Sequence, residues 1–92
     1  MPRVSAFYGI VIFFLYNEDR HMGRPHFDAE FAGQWVSYDI ETLEPLGGRL
    51  PRRPNRLVTK WARLHQDELF ANWHRAREEE ALVPIDPLPR DL

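Results

Sequence analysis

The stretch Pro25-His26-Phe27-Asp28-Ala29-Glu30-Phe31-Ala32-Gly33-Gln34-Trp35-Val36-Ser37-Tyr38-Asp39-Ile40-Glu41 decides the fold. Phe27, Ala29 and Phe31 alternate with His26, Asp28 and Glu30. After Gly33-Gln34, Val36, Tyr38 and Ile40 alternate with Trp35, Ser37 and Asp39. A period of two on both sides of a glycine is the mark of a β-hairpin. With Gly33-Gln34 as a two-residue turn, Phe31 faces Val36, Ala29 faces Tyr38 and Phe27 faces Ile40, all on one side. Gln34 accepts positive φ less readily than glycine, so a longer turn with a bulge is the alternative.

Upstream, Phe7–Tyr16 is ten residues broken only by Gly9. Its Ile, Val, Phe and Tyr content predicts a central strand buried on both faces. The run falls well short of the roughly 18–20 residues of a membrane-spanning helix. It also lacks the basic lead and small-residue cleavage site of a signal peptide, so an untargeted, cytoplasmic protein is expected. Asn17–Pro25 reads as a polar loop carrying Arg20, His21 and Arg24.

Downstream, Thr42–Leu50 is a connector in which a short strand is expected around Leu43–Leu46. Pro51 and Pro54 suit the first turn of a helix. Leu57, Val58, Trp61 and Leu64 form one apolar stripe; Leu69, Trp73 and Ala76 form another. At ~100° per residue the two stripes point about 90° apart. A break near His65–Asp67 is therefore predicted within the helical stretch 52–80, with Asp67 as cap of the second segment. The proline-rich tail, 82–92, is expected either to lay Val83 and Ile85 along a sheet edge or to cover the helix. The chain is thus read as one α+β domain over 1–92: mainly β over 1–46, helical over 51–80, then the tail. The expected architecture is a small antiparallel sheet, an N-terminal strand plus the hairpin, packed against a kinked helix or two consecutive helices.

The chain has 92 residues, 43% hydrophobic and 13% aromatic, enough for one core. Twelve Lys+Arg against 14 Asp+Glu leave a net charge of −2, which argues against a general nucleic-acid coat or a polybasic membrane binder. The absence of cysteine excludes disulfides, thiolate zinc sites and cysteine catalysis. There is no GxGxxG and no P-loop pattern, and Ser5 and Ser37 lack the context of a nucleophile elbow. His65 and His74 read as polar-face histidines. Trp35, Trp61 and Trp73 read as core or interface anchors.

Two constellations carry chemistry. The first lies on the polar side of the hairpin. In the register above, Asp28 sits opposite Asp39, and His26 opposite Glu41. Facing carboxylates repel, and a divalent metal ion on His26, Asp28 and Asp39 would relieve that. Cover by Arg20 and Arg24, or by solvent on an exposed face, does so more simply, because H-x-D alone is a weak pattern. The second is basic. Arg49, Arg52, Arg53, Arg56, Lys60 and Arg63 make up six of the 12 Lys+Arg, with no acid from Pro45 to Gln66. On a helix, 52, 53, 56, 60 and 63 fall within an arc of about 100°, away from the apolar stripe. Three arginines lie at a helix start, where cations are disfavoured. This stripe is the candidate partner- or anion-binding surface; an ordinary solvated face is the plainer reading.

Several ordered segments resemble an uncharacterised bacterial family, domain of unknown function 4160. They are Ser5-Ala6-Phe7-Tyr8-Gly9-Ile10-Val11-Ile12, Pro25-His26-Phe27-Asp28-Ala29-Glu30-Phe31, Leu50-Pro51-Arg52-Arg53, Leu57-Val58-x-x-Trp61-Ala62-x-Leu64-His65 and Leu69-x-x-Asn72-Trp73. The family pattern has a second histidine where this chain has Asp28, and the insert Glu18–Arg24 also departs from it. The resemblance implies small proteins encoded beside another small domain, domain of unknown function 2442, in arrangements similar to toxin–antitoxin operons. It implies no established activity.

The expected function is a protein-interaction module, toxin–antitoxin-like or regulatory, acting through a small protein partner. The alternative is a nucleic-acid-directed protein such as a small RNase-like toxin. There, His26 would transfer protons and Arg52, Arg53 and Arg56 would stabilise phosphate. A structural subunit or homo-oligomer is the third option. No cofactor is expected.

Overall fold

Two tight turns of the same kind build the sheet. In this computed structural model, which describes residues 2–16 and 23–90, β1 (Arg3–Phe7) and β2 (Ile10–Phe13) are joined by Tyr8-Gly9. β3 (His26–Phe31) and β4 (Gln34–Asp39) are joined by Ala32-Gly33. Both central residues of each turn have positive φ: 51° and 79° in the first, 50° and 81° in the second. Such turns match the right-handed twist of the strands they connect. With β5 (Pro45–Gly47), the strands form one antiparallel meander in the order β1-β2-β3-β4-β5. Two helices follow, α1 (Arg52–Leu64) and α2 (Gln66–Arg77). The α+β class and the sheet-plus-two-helices plan are as the sequence predicts.

The apolar run at Phe7–Tyr16 is not one strand. The chain reverses at Tyr8-Gly9, so the run supplies the last residue of β1 and all of β2, and β3 takes the central place in the sheet. Arg3–Ala6 escapes a sequence reading because a bulge between Arg3 and Ser5 breaks its alternation. The short strand expected at Leu43–Leu46 begins two residues later, at Pro45; Leu43 instead takes φ 64° in the loop.

The hairpin turn also lies one residue earlier than predicted. Gln34 belongs to β4, and the pairs are Phe31 with Gln34, Ala29 with Val36, Phe27 with Tyr38, Asp28 with Ser37 and His26 with Asp39. Moving the turn by one residue displaces the partner strand by two. A displacement of two preserves the side each residue faces. Phe27, Ala29, Val36, Tyr38 and Ile40 therefore all enter one core, with Phe31 packed against it.

That core is closed by Leu57, Val58, Trp61 and Ala62 of α1 and by Leu69, Trp73 and Ala76 of α2. Trp61 is fully buried, 5.2 Å from Phe7 and 6.0 Å from Phe27 between ring centres. Leu64, expected in the apolar stripe, is 66% exposed. The helical stretch breaks where expected, at His65 (φ −127°, ψ 26°), but His65 rather than Asp67 is the N-cap residue of α2. Asp67 and Glu68 occupy the first turn, where the helix dipole favours them. α2 stops at Arg77, short of Glu80: Glu79 adopts φ 55°, and the Glu80 and Glu79 amides donate to the Arg75 and Ala76 carbonyls. This is a Schellman closure with glutamate in the left-handed place.

The tail follows the edge expectation at Ile85 but not at Val83, which is held by Asn72 of α2. The Ile85 amide donates to the Val4 carbonyl on the β1 edge (2.8 Å), and Ile85 and Leu88 enter the core. Val83 stays about half exposed, at 47%. The fully buried Asn72 holds both its amide and its carbonyl, at 2.9 and 2.8 Å. Trp61 Nε1 donates to the Asp86 carbonyl (2.8 Å), and the Tyr8 hydroxyl to the Pro89 carbonyl (2.6 Å). Among the described residues no helix is long and apolar enough to cross a membrane.

Two outcomes follow. Asparagine tolerates left-handed φ better than alanine, so Ala32→Asn raises stability by about 0.5 kcal/mol in urea unfolding; a lowered midpoint would contradict this turn. Asn72→Ala costs about 2–3 kcal/mol and strips hydrogen-exchange protection from the Ile85 amide. Retained protection there would show that Asn72 does not hold the tail.

Candidate partner-binding face and the buried polar cluster

The cationic residues sit where the helical arc places them. α1 opens at Pro51 with no side-chain cap and no acid in its first turn. Its apolar side is Pro54, Leu57, Val58, Trp61 and Ala62, all buried. Arg52, Arg53, Arg56, Lys60 and Arg63 are exposed, as is Arg49 in the segment before it. Among the described residues, none of the six is held in an ion pair. Arg52 and Arg53 thus face the positive end of the helix dipole with no acid in the first turn to offset them, at a cost of ~0.3–1 kcal/mol each, whereas Arg63 lies in the last turn, where the dipole favours a cation.

The start of α1 is fastened to the sheet, and the chain just past its end is fastened to the loop that leaves β4. At the start of the helix the Tyr38 hydroxyl donates to Asn55 Oδ1 (2.7 Å), between Arg53 and Arg56. Tyr38 is fully buried, and burial pushes its phenol from 10 up to about 12. Past the end of α1, Gln66 Nε2 in the first turn of α2 donates to the Ile40 and Glu41 carbonyls, at 2.8 and 3.3 Å. The cationic face is therefore a fixed surface.

The residues of the other constellation lie close together, in an arrangement the predicted register does not give. Asp28 faces Ser37, not Asp39, and Asp39 faces His26, so the two carboxylates do not oppose each other. Ser37 Oγ donates to Asp28 Oδ1. Asp39 pairs with Arg24, one of the two arginines expected to cover the acids. Its other oxygen accepts the Glu41 and Thr42 amides at 2.7 and 3.0 Å, shaping the turn that leaves β4. His26 Nδ1 lies 2.7 Å from the Arg24 carbonyl, and its ring packs 5.0 Å from Trp73. All four of His26, Asp28, Ser37 and Asp39 are buried rather than exposed. Among the described residues, no group of three or more His, Asp or Glu side chains could hold a metal ion. Arg20 and His21 lie outside the described residues.

Beside this cluster, Trp35 is half exposed and meets the Phe13 ring edge-on at 4.7 Å. It borders a groove of about 260 Å³ floored by Asp28 and Ser37. Gly48 makes room for its backbone: at φ 81°, a Cβ there would lie 2.6 Å from the Trp35 carbonyl oxygen. Sequence reasoning marks Trp35 as an anchor but gives no sign of this groove, which depends on neighbours from β2 and β5. It misses Asn55 as the partner of Tyr38 for the same reason.

The raised Tyr38 pKa carries a sign. The unfolded phenol ionises near 10 and the folded one near 12. The unfolded state thus loses its proton first, and this contribution to stability falls as pH rises from 10 to about 12. Tyr38→Phe costs about 1 kcal/mol at neutral pH and flattens the alkaline limb of stability followed by circular dichroism. An unchanged limb would refute a protonated, buried Tyr38.

The sequence profile of the family described as Domain of unknown function (DUF4160) matches residues 9–74, from the first turn through most of α2. No curated protein and no solved structure matches the chain. With well over half its length inside that profile, including the β2–β4 meander, the basic helix and Asn72, the chain belongs to the domain of unknown function 4160 family.

Proposed function

We propose that this chain is a protein-interaction module of a bacterial cytoplasm, toxin–antitoxin-like or regulatory, that binds a small acidic protein partner through α1. The observation that carries this is the exposure of Arg49, Arg52, Arg53, Arg56, Lys60 and Arg63 on or beside one helix, without ion pairs among the described residues. Such a surface speeds encounter with an acidic partner and fixes its orientation. Leu64, 66% exposed at the end of the same face, adds apolar area of the kind interfaces bury.

The sheet edges support the reading less. β5 is three residues long and contains Pro45, and the β1 edge already receives the Ile85 amide. An RNase-like mechanism needs a base within reach of substrate. His26 is 2% exposed and packed against Trp73, which favours binding over cleavage.

The partner to test is a small protein of domain of unknown function 2442, mixed with this chain and followed by size exclusion and calorimetry. A complex is expected that weakens with salt and loses at least about tenfold in affinity, near 1.4 kcal/mol, when Arg52, Arg56 and Lys60 are changed to Glu. An affinity indifferent to those changes would overturn the reading. So would RNA cleavage that disappears in His26→Ala.

A further inference from the structure

We propose that the partner presents a linear acidic segment and seats one apolar side chain of it in a pocket at the start of α1. This rests on the binding reading above and names what α1 recognises. The pocket is a cavity of about 190 Å³ lined by Tyr8, Phe31, Arg53, Pro54 and Leu57. Three separate pieces of chain meet there: the β1–β2 turn, the end of β3 and the first two turns of α1.

Its chemistry is divided. Pro54 and Leu57 are buried, and the Tyr8 and Phe31 rings are half buried, so the floor and walls are apolar. The one charged lining group is Arg53, which is exposed, and Arg52 and Arg56 stand exposed beside it in the same helical turns. No acid lies between Pro45 and Gln66 to compete for them. An apolar socket with a cationic rim suits an apolar side chain flanked by carboxylates. The volume falls below the roughly 300–1,000 Å³ of small-molecule sites, and it suits a single anchor residue of the kind that dominates protein interfaces.

The test uses two fluorescein-labelled ten-residue peptides of Asp and Glu, one with a central Phe and one with Ala in its place. Both are titrated into the full chain by fluorescence polarisation at low salt. The Phe peptide is expected to bind at least about tenfold more tightly. Tyr8→Asn should abolish that preference, because it removes an aromatic wall while asparagine accepts the left-handed φ of the turn. Arg53→Glu, on the exposed rim, should weaken both peptides and reduce their salt dependence. Equal binding of the two peptides to the unaltered chain would overturn the pocket and leave the cationic face standing. A Phe preference that survives in Tyr8→Asn would place the anchor elsewhere and overturn it too. Failure of both peptides to bind would overturn the pocket together with the reading on which it rests.

Discussion

The β3–β4 register, set by Ala32-Gly33, is the constraint on which the rest of the molecule depends. Two consecutive residues of positive φ end β3 at Phe31 and begin β4 at Gln34. Phe27 and Tyr38 are thereby placed opposite each other, their rings stacked at 5.5 Å. The apolar side they share is the surface against which Val58 and Trp61 close. The same register points the Tyr38 hydroxyl at Asn55, in the middle of the arginine-rich turn. A single tight turn therefore governs both the core and the position of the cationic face. A one-residue slip of pairing would send Tyr38 to the other side of the sheet and unfasten α1.

The two sides of the sheet serve different ends. One is sealed by helices and tail. The other carries Asp28, Ser37, Asp39, the Arg24 pair and the half-exposed Trp35, while His26 at the start of β3 packs on Trp73 of α2. Polar groups withdrawn from water are stable only when paired, and the pairs here are short-range and specific: hydroxyl to carboxylate, guanidinium to carboxylate, imidazole to carbonyl. Such a cluster fixes how β3 and β4 meet and how the chain leaves β4. On or beside α1, six exposed cations stand without ion pairs among the described residues. The contrast between this paired, buried cluster and the exposed cations of α1 is what directs the functional reading toward binding.

Much of this was legible in the order of residues. Alternation over 26–40 identified the apolar side, because side-chain direction in a strand depends on local backbone alone. The arc of 52, 53, 56, 60 and 63 identified the cationic face, because helical geometry is equally local. The change of stripe between Leu64 and Leu69 located the break at His65. Glycine marks a turn without fixing its place in the turn. Gly9 turned the chain within what looked like one strand, and Gly33 was the second turn residue rather than the first. Alanine and tyrosine at positive φ leave no compositional trace, since those positions are held by the strands on either side.

By itself the sequence determined the α+β class, the shared side of the hairpin, the helix break and the clustering of cations, all consequences of periodicity along one element. Only the tertiary structure decided which residues meet across elements. It paired Asp28 with Ser37, brought Tyr38 to Asn55, tied the tail through Asn72 and gathered Tyr8, Phe31 and Leu57 around one pocket. Contacts of that kind depend on strand register and helix placement. Those are fixed by the packing of the whole core, and no local pattern of residues encodes them.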